Sequence, residues 1–235
     1  MIFLFKKQYY FGLVFFTLLF LDIYIKLEIE IPLLRVGSKI LLIASLIIYY
    51  LINENEKVRH NKKCTVAALL LFMMGDVTFV FDYLPVFFLI STLLFVLGKC
   101  FYLRRFRNHE IFEISKIVPF LLISFLFMVS LLYVIYPQLG SYFIPILIYF
   151  FIALLLFLFA FLRKQAVNKI SFIVVLCGVF SFSLSETITA LKMFSSGLPY
   201  DDFFIMVFYG VAQYLIVLGL LAENRKETTP LKTVL

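Results

Sequence analysis

The chain has 235 residues, 64% hydrophobic and 15% charged, with a mean hydropathy of +1.07 and a formal net charge of +7. Soluble domains run to about 25% charged and 45–50% apolar residues, so the composition excludes one or two soluble domains and makes the chain a polytopic membrane protein. The 31 Phe residues suit a lipid-facing surface.

Runs of about 17–25 apolar residues mark membrane-spanning helices, and eight appear in order. They cover Tyr9 to Ile25, Leu33 to Ile52, Thr65 to Phe81, Leu84 to Leu103, Ile117 to Tyr136, Tyr142 to Leu162, Ile170 to Met193, and Phe203 to Ala222. Pro32, Asp82, Pro137–Gln138–Leu139–Gly140 and Ser195–Ser196–Gly197–Leu198–Pro199 punctuate them as turns. A transmembrane barrel would show alternating segments of about ten residues, which these runs are not. The first run lacks a small-x-small cleavage site after Leu21–Asp22–Ile23–Tyr24 and reads as a retained span. The expectation is all-α: a single eight-helix transmembrane domain over residues 1–235.

An even number of spans puts both termini on one side. That side carries Lys6, Lys7, Lys57, Arg59, Lys62, Lys63, Arg104, Arg105, Arg107, Lys116, Arg163, Lys164, Lys169, Arg225, Lys226 and Lys232, leaving only Lys26, Arg35, Lys39, Lys99 and Lys192 elsewhere. Basic loops face the cytoplasm, so both termini are expected there, in a bacterial inner membrane. The positive charge is thereby explained by topology and anionic headgroups, and no nucleic-acid partner is expected. Cys64, Cys100 and Cys177 lack metal or disulfide spacing, His60 and His109 sit among loop charges, and no G-x-S-x-G or H-E-x-x-H pattern occurs. Neither a metal nor a cofactor is expected.

Polar residues inside the spans carry the functional signal. Asp76 stands in Leu69–Leu70–Leu71–Phe72–Met73–Met74–Gly75–Asp76–Val77, where an unpaired charge costs about 3 kcal/mol or more. At 1.5 Å per residue it lies about 16 Å along its apolar run, and Glu186 about 24 Å along the seventh. Tyr209 and Gln213, four residues apart, share a face of the eighth helix. Lys39 lies at a depth comparable with Glu186. Asp22, Asp82 and Lys192 are close enough to helix ends to reach headgroups, and Lys99 is a turn from Arg104, within snorkelling reach of the cytoplasm. Gln213 could equally be interhelical glue. Asp76 and Glu186 are too deep for either explanation, and the set falls in one outer-to-middle slab that would form a polar chamber.

Gly75–Asp76–Val77, then Pro85, then Leu97–Gly98–Lys99–Cys100–Phe101–Tyr102 resembles the YhhN family's G-D-x-x-L followed by a Phe-rich helix ending in G-H-x-x-Y. Ser185–Glu186–Thr187–Ile188–Thr189–Ala190 resembles its S-D-x-x-L-A, and Tyr209–Gly210–Val211–Ala212–Gln213–Tyr214–Leu215–Ile216 its Y-x-x-A-Q-x-L-I. Lys99 stands where that pattern has His, and Glu186 where it has Asp. The family includes lysoplasmalogenases, which hydrolyse the vinyl ether of lysoplasmalogens to a fatty aldehyde and a glycerophospho-base. The resemblance implies Asp76 and Glu186 as the acid/base pair, with Tyr209, Gln213, Lys39, Lys99 and Tyr102 binding or orienting substrate. It implies a lysolipid or other single-chain amphiphile as partner, entering from the surrounding membrane lipids.

Two carboxyls without nucleophile or metal suit vinyl ether hydrolysis, which needs one acid to protonate carbon and one base to deliver water. A non-catalytic lipid-binding or transport protein would use the same chamber. No repeated half with paired broken helices marks an alternating-access transporter, and no signalling domain follows Ala222. The substrate's headgroup and chain length and the oligomeric state are not legible in the sequence.

Overall fold

The computed structural model describes residues 8–29, 31–54, 56, 58–107 and 114–223. Lys6, Lys7, Lys57, His109, Arg225, Lys226 and Lys232 lie outside these ranges, as does the side chain of Lys116. Among the described residues the chain forms α1 (Gln8–Glu28), α2 (Pro32–Asn53), α3 (Arg59–Phe79), α4 (Pro85–Phe106), α5 (Ile114–Leu139), α6 (Phe143–Leu162), α7 (Lys169–Phe194) and α8 (Asp201–Leu221). Proline opens α2 and α4 at the first turn, where its missing N–H costs nothing and its fixed φ suits a helix start.

Six segments are long and apolar enough to cross a bilayer: α1, α2, α4, α7, α8 and the stretch Val118–Leu162. That stretch is 45 residues, about 68 Å if it were one straight helix, more than twice the roughly 30 Å hydrocarbon core. The chain instead reverses through a 3-10 turn at Gly140–Tyr142, with Gly140 at φ +48°, and α6 packs back on α5. Helix α3 falls outside the apolar set because it begins on Arg59–His60–Asn61–Lys62–Lys63, six residues before the apolar run. Helix α5 likewise runs three residues past the expected Tyr136, through Pro137. Helical hydrogen bonding continues where hydrophobicity stops, so the helices outrun the apolar segments.

The most extensive helix contact joins α7 to α8, followed by α3 with α4. A Cβ on Gly219 would lie 2.9 Å from the Val175 backbone nitrogen, and one on Gly178 would lie 3.0 Å from that of Ile216. The two glycines therefore let the α7 and α8 backbones approach as small residues do in membrane helix pairs. Ser171 Oγ donates to the Gly219 carbonyl at 2.6 Å and Ser185 Oγ to that of Ile205 at 2.9 Å, tying the pair at two levels.

Two apolar clusters fill the interior. The larger gathers Phe11, Phe15, Tyr50, Phe72, Tyr102 and Ile216 with their neighbours. The smaller gathers Phe88, Ile135, Ile146, Phe150 and Phe194. A cavity bordered by residues of both clusters separates them.

At the end of the bundle beyond the larger cluster, two arginines expected as loop charges are buried. Arg105 and Arg163 are 1% and 2% exposed. Arg105 pairs with Glu56 at 2.5 Å and Glu223 at 3.0 Å, and Arg163 with Glu223 at 2.8 Å. Arg163 also donates to Ser171 Oγ at 3.0 Å. The network ties the α2–α3 connection, the α4 terminus, the α6 terminus and the chain after α8 into one knot.

Candidate functional site

The cavity between the clusters has a volume of about 110 Å³ and is lined from α1, α2, α3, α4, α6, α7 and α8. Asp76 and Glu186 both line it, as do Lys39 and Tyr209. Each carboxyl has its own partners.

Asp76 lies in the last turn of α3, nearer the helix end than its place in the apolar run implies, because α3 ends at Phe79 rather than at Phe81. It is 6% exposed, and its Oδ2 accepts a hydrogen bond from the Tyr209 hydroxyl at 2.9 Å. No cation forms an ion pair with it among the described residues. Lys39 stands 5.6 Å from the Tyr209 ring centroid but is engaged with Asp22 Oδ2 at 3.1 Å, while Ser38 Oγ donates to Asp22 Oδ1 at 2.6 Å. Asp22 is 1% exposed. The headgroup reading of Asp22 is therefore corrected: the Lys39 ammonium and Ser38 hydroxyl across the α1–α2 interface satisfy it in the interior. That pairing also holds the Lys39 ammonium in the interior.

Glu186 sits on α7 opposite α4 and α6. Its Oε1 is 2.5 Å from Lys99 Nζ and accepts from the Tyr149 hydroxyl at 2.5 Å. Lys99 is fully buried, its ammonium 3.4 Å from the Tyr149 ring centroid and 5.6 Å from that of Phe182. An ammonium against an aromatic face gains from the ring quadrupole, more so when desolvated. The snorkelling reading of Lys99 is overturned: the residue points inward, because α4 turns that face towards α6 and α7. Lys99 thus partners the Glu186 carboxylate from behind the cavity wall.

Tyr102 and Gln213 do not line the cavity. They bond to each other, Tyr102 hydroxyl to Gln213 Oε1 at 3.1 Å, both fully buried. Gln213 thus lies one helical turn from Tyr209 towards the Glu223 end, and the expectation that it borders the chamber is corrected. Its partner is another buried polar group on α4, which is the interhelical glue of membrane bundles.

The cavity also touches Lys26 and Arg35. Lys26 is ion-paired with Asp202, and Lys192 with Asp201 and Asp202, so these charges form a cluster where α1, α7 and α8 meet. Arg35 makes no ion pair among the described residues. Among those residues no group of three His, Cys, Asp or Glu side chains comes together to hold a metal.

Sequence reasoning missed Tyr149, one of 14 tyrosines and unmarked by any charge. It missed the Asp22–Lys39 pair as a pair, although opposite charges at matching depth on consecutive helices were visible.

Comparison with known proteins then decides the kinship. The YhhN family matches residues 34–220, α2 through nearly all of α8. The chain belongs to the YhhN family. No curated protein and no solved structure matches it. The matched region contains Asp76, Lys99, Tyr149, Glu186, Tyr209 and Gln213, whereas Asp22 lies on α1 outside it. With its long apolar helices, this YhhN protein is an integral, multi-pass membrane protein.

Proposed function

We propose that this YhhN protein is a lysoplasmalogenase-like membrane hydrolase that cleaves the vinyl ether bond of a single-chain ether lysolipid. The observation that carries the reading is that two carboxyls from different helices, Asp76 and Glu186, line one cavity with unlike partners. Asp76 is held by a neutral phenol and Glu186 by an ammonium. That asymmetry divides the work.

Asp76, with no cation of its own, carries the proton. It protonates the vinyl carbon distant from the ether oxygen, which leaves an oxocarbenium ion at the adjacent carbon. Glu186, kept anionic by Lys99, faces that positive charge and stabilises it electrostatically in a water-poor site. It also accepts a proton from the water that adds to the oxocarbenium carbon. The resulting hemiacetal collapses to a fatty aldehyde and a glycerol hydroxyl, the proton on Glu186 returning through the alcohol and the hydroxyl proton of the hemiacetal re-charging Asp76. One water is consumed, and neither metal nor covalent intermediate enters the scheme. Tyr209 fixes the Asp76 carboxyl, Tyr149 fixes Glu186, and the Tyr102–Gln213 bond holds α4 against α8 beneath them.

In this reading all eight helices cross the membrane, α3 with its basic first turn among the headgroups. Both termini lie on the cytoplasmic side of a bacterial inner membrane, as the loop lysines and arginines favour. The Arg105–Arg163 knot closes that side, and the cavity stands towards the other.

The test is aldehyde release by purified protein from a lysoplasmalogen, with the corresponding saturated ether lysolipid as control. Aldehyde from the vinyl ether alone supports the hydrolase. Lysolipid binding without aldehyde from either lipid would instead mark a binding or transport protein.

A further inference from the structure

Behind Glu186 lies a second cavity of about 320 Å³, bordered by α5, α6 and α7. Phe150 and Glu186 line both cavities, so the two meet at Glu186. The second is far above the roughly 10–15 Å³ that one water requires, yet a cavity lined by aliphatic and aromatic groups stays dry and takes apolar guests. Its polar lining is confined to Glu186 and to the hydroxyls of Ser124, Ser183 and Thr187, of which the last two are spent on their own helix. Ser183 donates to the Val179 carbonyl at 3.1 Å and Thr187 to that of Ser183 at 2.8 Å, both within α7. The rim is open to the surrounding bilayer through Ile123 and Phe127 on α5 and Phe180 on α7, all more than half exposed.

We propose that this second cavity is a hydrocarbon-chain site, occupied by the single alkyl tail of a phospholipid whose headgroup phosphate lies at Arg35 on the far side of the first cavity. The charge distribution supports this direction of binding. Arg35 is the cavity-lining cation that makes no ion pair among the described residues, whereas Lys26 and Lys39 are engaged by Asp202 and Asp22. An anion at Arg35 and a chain between α5 and α7 would carry the linkage between headgroup and tail past Asp76 and Glu186. The cavity follows α5 from Ile123 to Leu131 and α7 from Phe180 to Thr187, about 12 Å along the helix axes at 1.5 Å per residue. The tail leaves the bilayer sideways and gains little by burial alone, since lipid is as apolar as the cavity. Fit to the cavity therefore selects the chain. This inference rests on the reading of the first cavity as the reaction site, but the site for the chain is testable without turnover.

The probe is a saturated ether lysophospholipid with a diazirine at the tail terminus, which cannot be cleaved, photolysed with the full chain in nanodiscs. Adducts should map to lining residues such as Met128 and Leu184, be displaced by unlabelled lysolipid, and resist an equal amount of two-chain phospholipid. Ala153→Phe, which fills the cavity, should cut these adducts about tenfold, as overpacking of a fitted site does. Ile170→Phe, on an exposed face remote from the cavity, should leave them unchanged. If Ala153→Phe does not yield folded protein, Ser183→Leu serves in its place. Arg35→Gln should weaken labelling by the lysophospholipid but not by a diazirine fatty alcohol. Adducts spread over the outer helix faces, or displaced equally by two-chain phospholipid, would mean ordinary annular lipid and overturn the proposal. Cavity adducts together with a complete lack of aldehyde release from lysoplasmalogen would sustain the chain site and overturn the hydrolase reading alone.

Discussion

Lys99 and Glu186 form an ion pair of 2.5 Å across α4 and α7 in the interior of an oily bundle, with Tyr149 bonded to the same carboxylate oxygen. Removing one member of a buried pair leaves an uncompensated charge and costs about 3–5 kcal/mol, whereas replacing both by apolar or neutral groups of similar size is close to neutral. Lys99→Ala and Glu186→Gln should each lower the melting temperature in detergent substantially. The double substitution Lys99→Met with Glu186→Gln should recover most of the loss in stability and none of the activity. Equal stability of the parent and both single variants would show that the pair carries no such cost. Lys99→His keeps a nitrogen donor on that face of α4 and should retain activity, because an imidazolium can still hold Glu186.

Tyr209 acts on Asp76 through a single hydrogen bond of 2.9 Å. Tyr209→Phe deletes that bond while keeping the ring that packs on Phe182 and Phe95. Leaving the buried Asp76 carboxyl without this donor costs about 1–3 kcal/mol, so turnover should fall about tenfold and the melting temperature should drop modestly. An unchanged rate would remove Tyr209 from the site.

How far the site was legible in the sequence follows from what each residue displays there. Asp76 and Glu186 announced themselves because a carboxyl in an apolar run has no cheap explanation. Depth along a helix was readable, but rotation about its axis was not. Lys99, a turn from Arg104, therefore looked able to reach headgroups, although its helix turns it inward to Glu186. Asp22 was misplaced for a related reason: judged alone it belonged at a helix end, and only its pairing with Lys39 and Ser38 makes burial tolerable. The fold was more readable than the site, since the apolar runs and their Pro/Gly turns mark the helices formed by the described residues. Their true ends were not, because α3 and α5 continue beyond the hydrophobic residues that signal them.

Arg105, Arg163, Glu56 and Glu223 should govern stability rather than chemistry. Glu223 bridges both arginines, so Glu223→Gln leaves two buried guanidiniums short of charge and should lower the melting temperature more than any exposed substitution. Surface pairs such as Lys62–Glu54 contribute about 0–1 kcal/mol and weaken with salt. The Glu223 effect should therefore persist in high salt while that of Glu54→Gln fades. Measuring both variants across a salt series separates the two.

The α7–α8 interface rests on absent side chains. At Gly219 a Cβ would meet Val175 Cγ2 at 2.5 Å as well as the Val175 backbone. Gly219→Val should force the helices apart and destabilise the fold by about 1–3 kcal/mol or more, whereas Gly37→Ala, where a Cβ meets nothing within 4 Å, should be tolerated. Comparable melting temperatures for the two variants would contradict the close approach of α7 and α8.

The measurement that bears most directly on the central claim is turnover and lysolipid affinity determined together on the parent, Asp76→Asn and Glu186→Gln. Both substitutions are nearly isosteric and remove the titrating carboxyl. Loss of an acid or base that transfers a proton in the rate-limiting step lowers the rate by about 10²–10⁴-fold, while an alkyl tail held by shape should bind with little change. The account predicts aldehyde release by the parent, a loss of that size in each variant, and affinities for a saturated ether lysolipid within a few-fold of the parent. Aldehyde release undiminished in either variant, or none from the parent despite clear lysolipid binding, would contradict it.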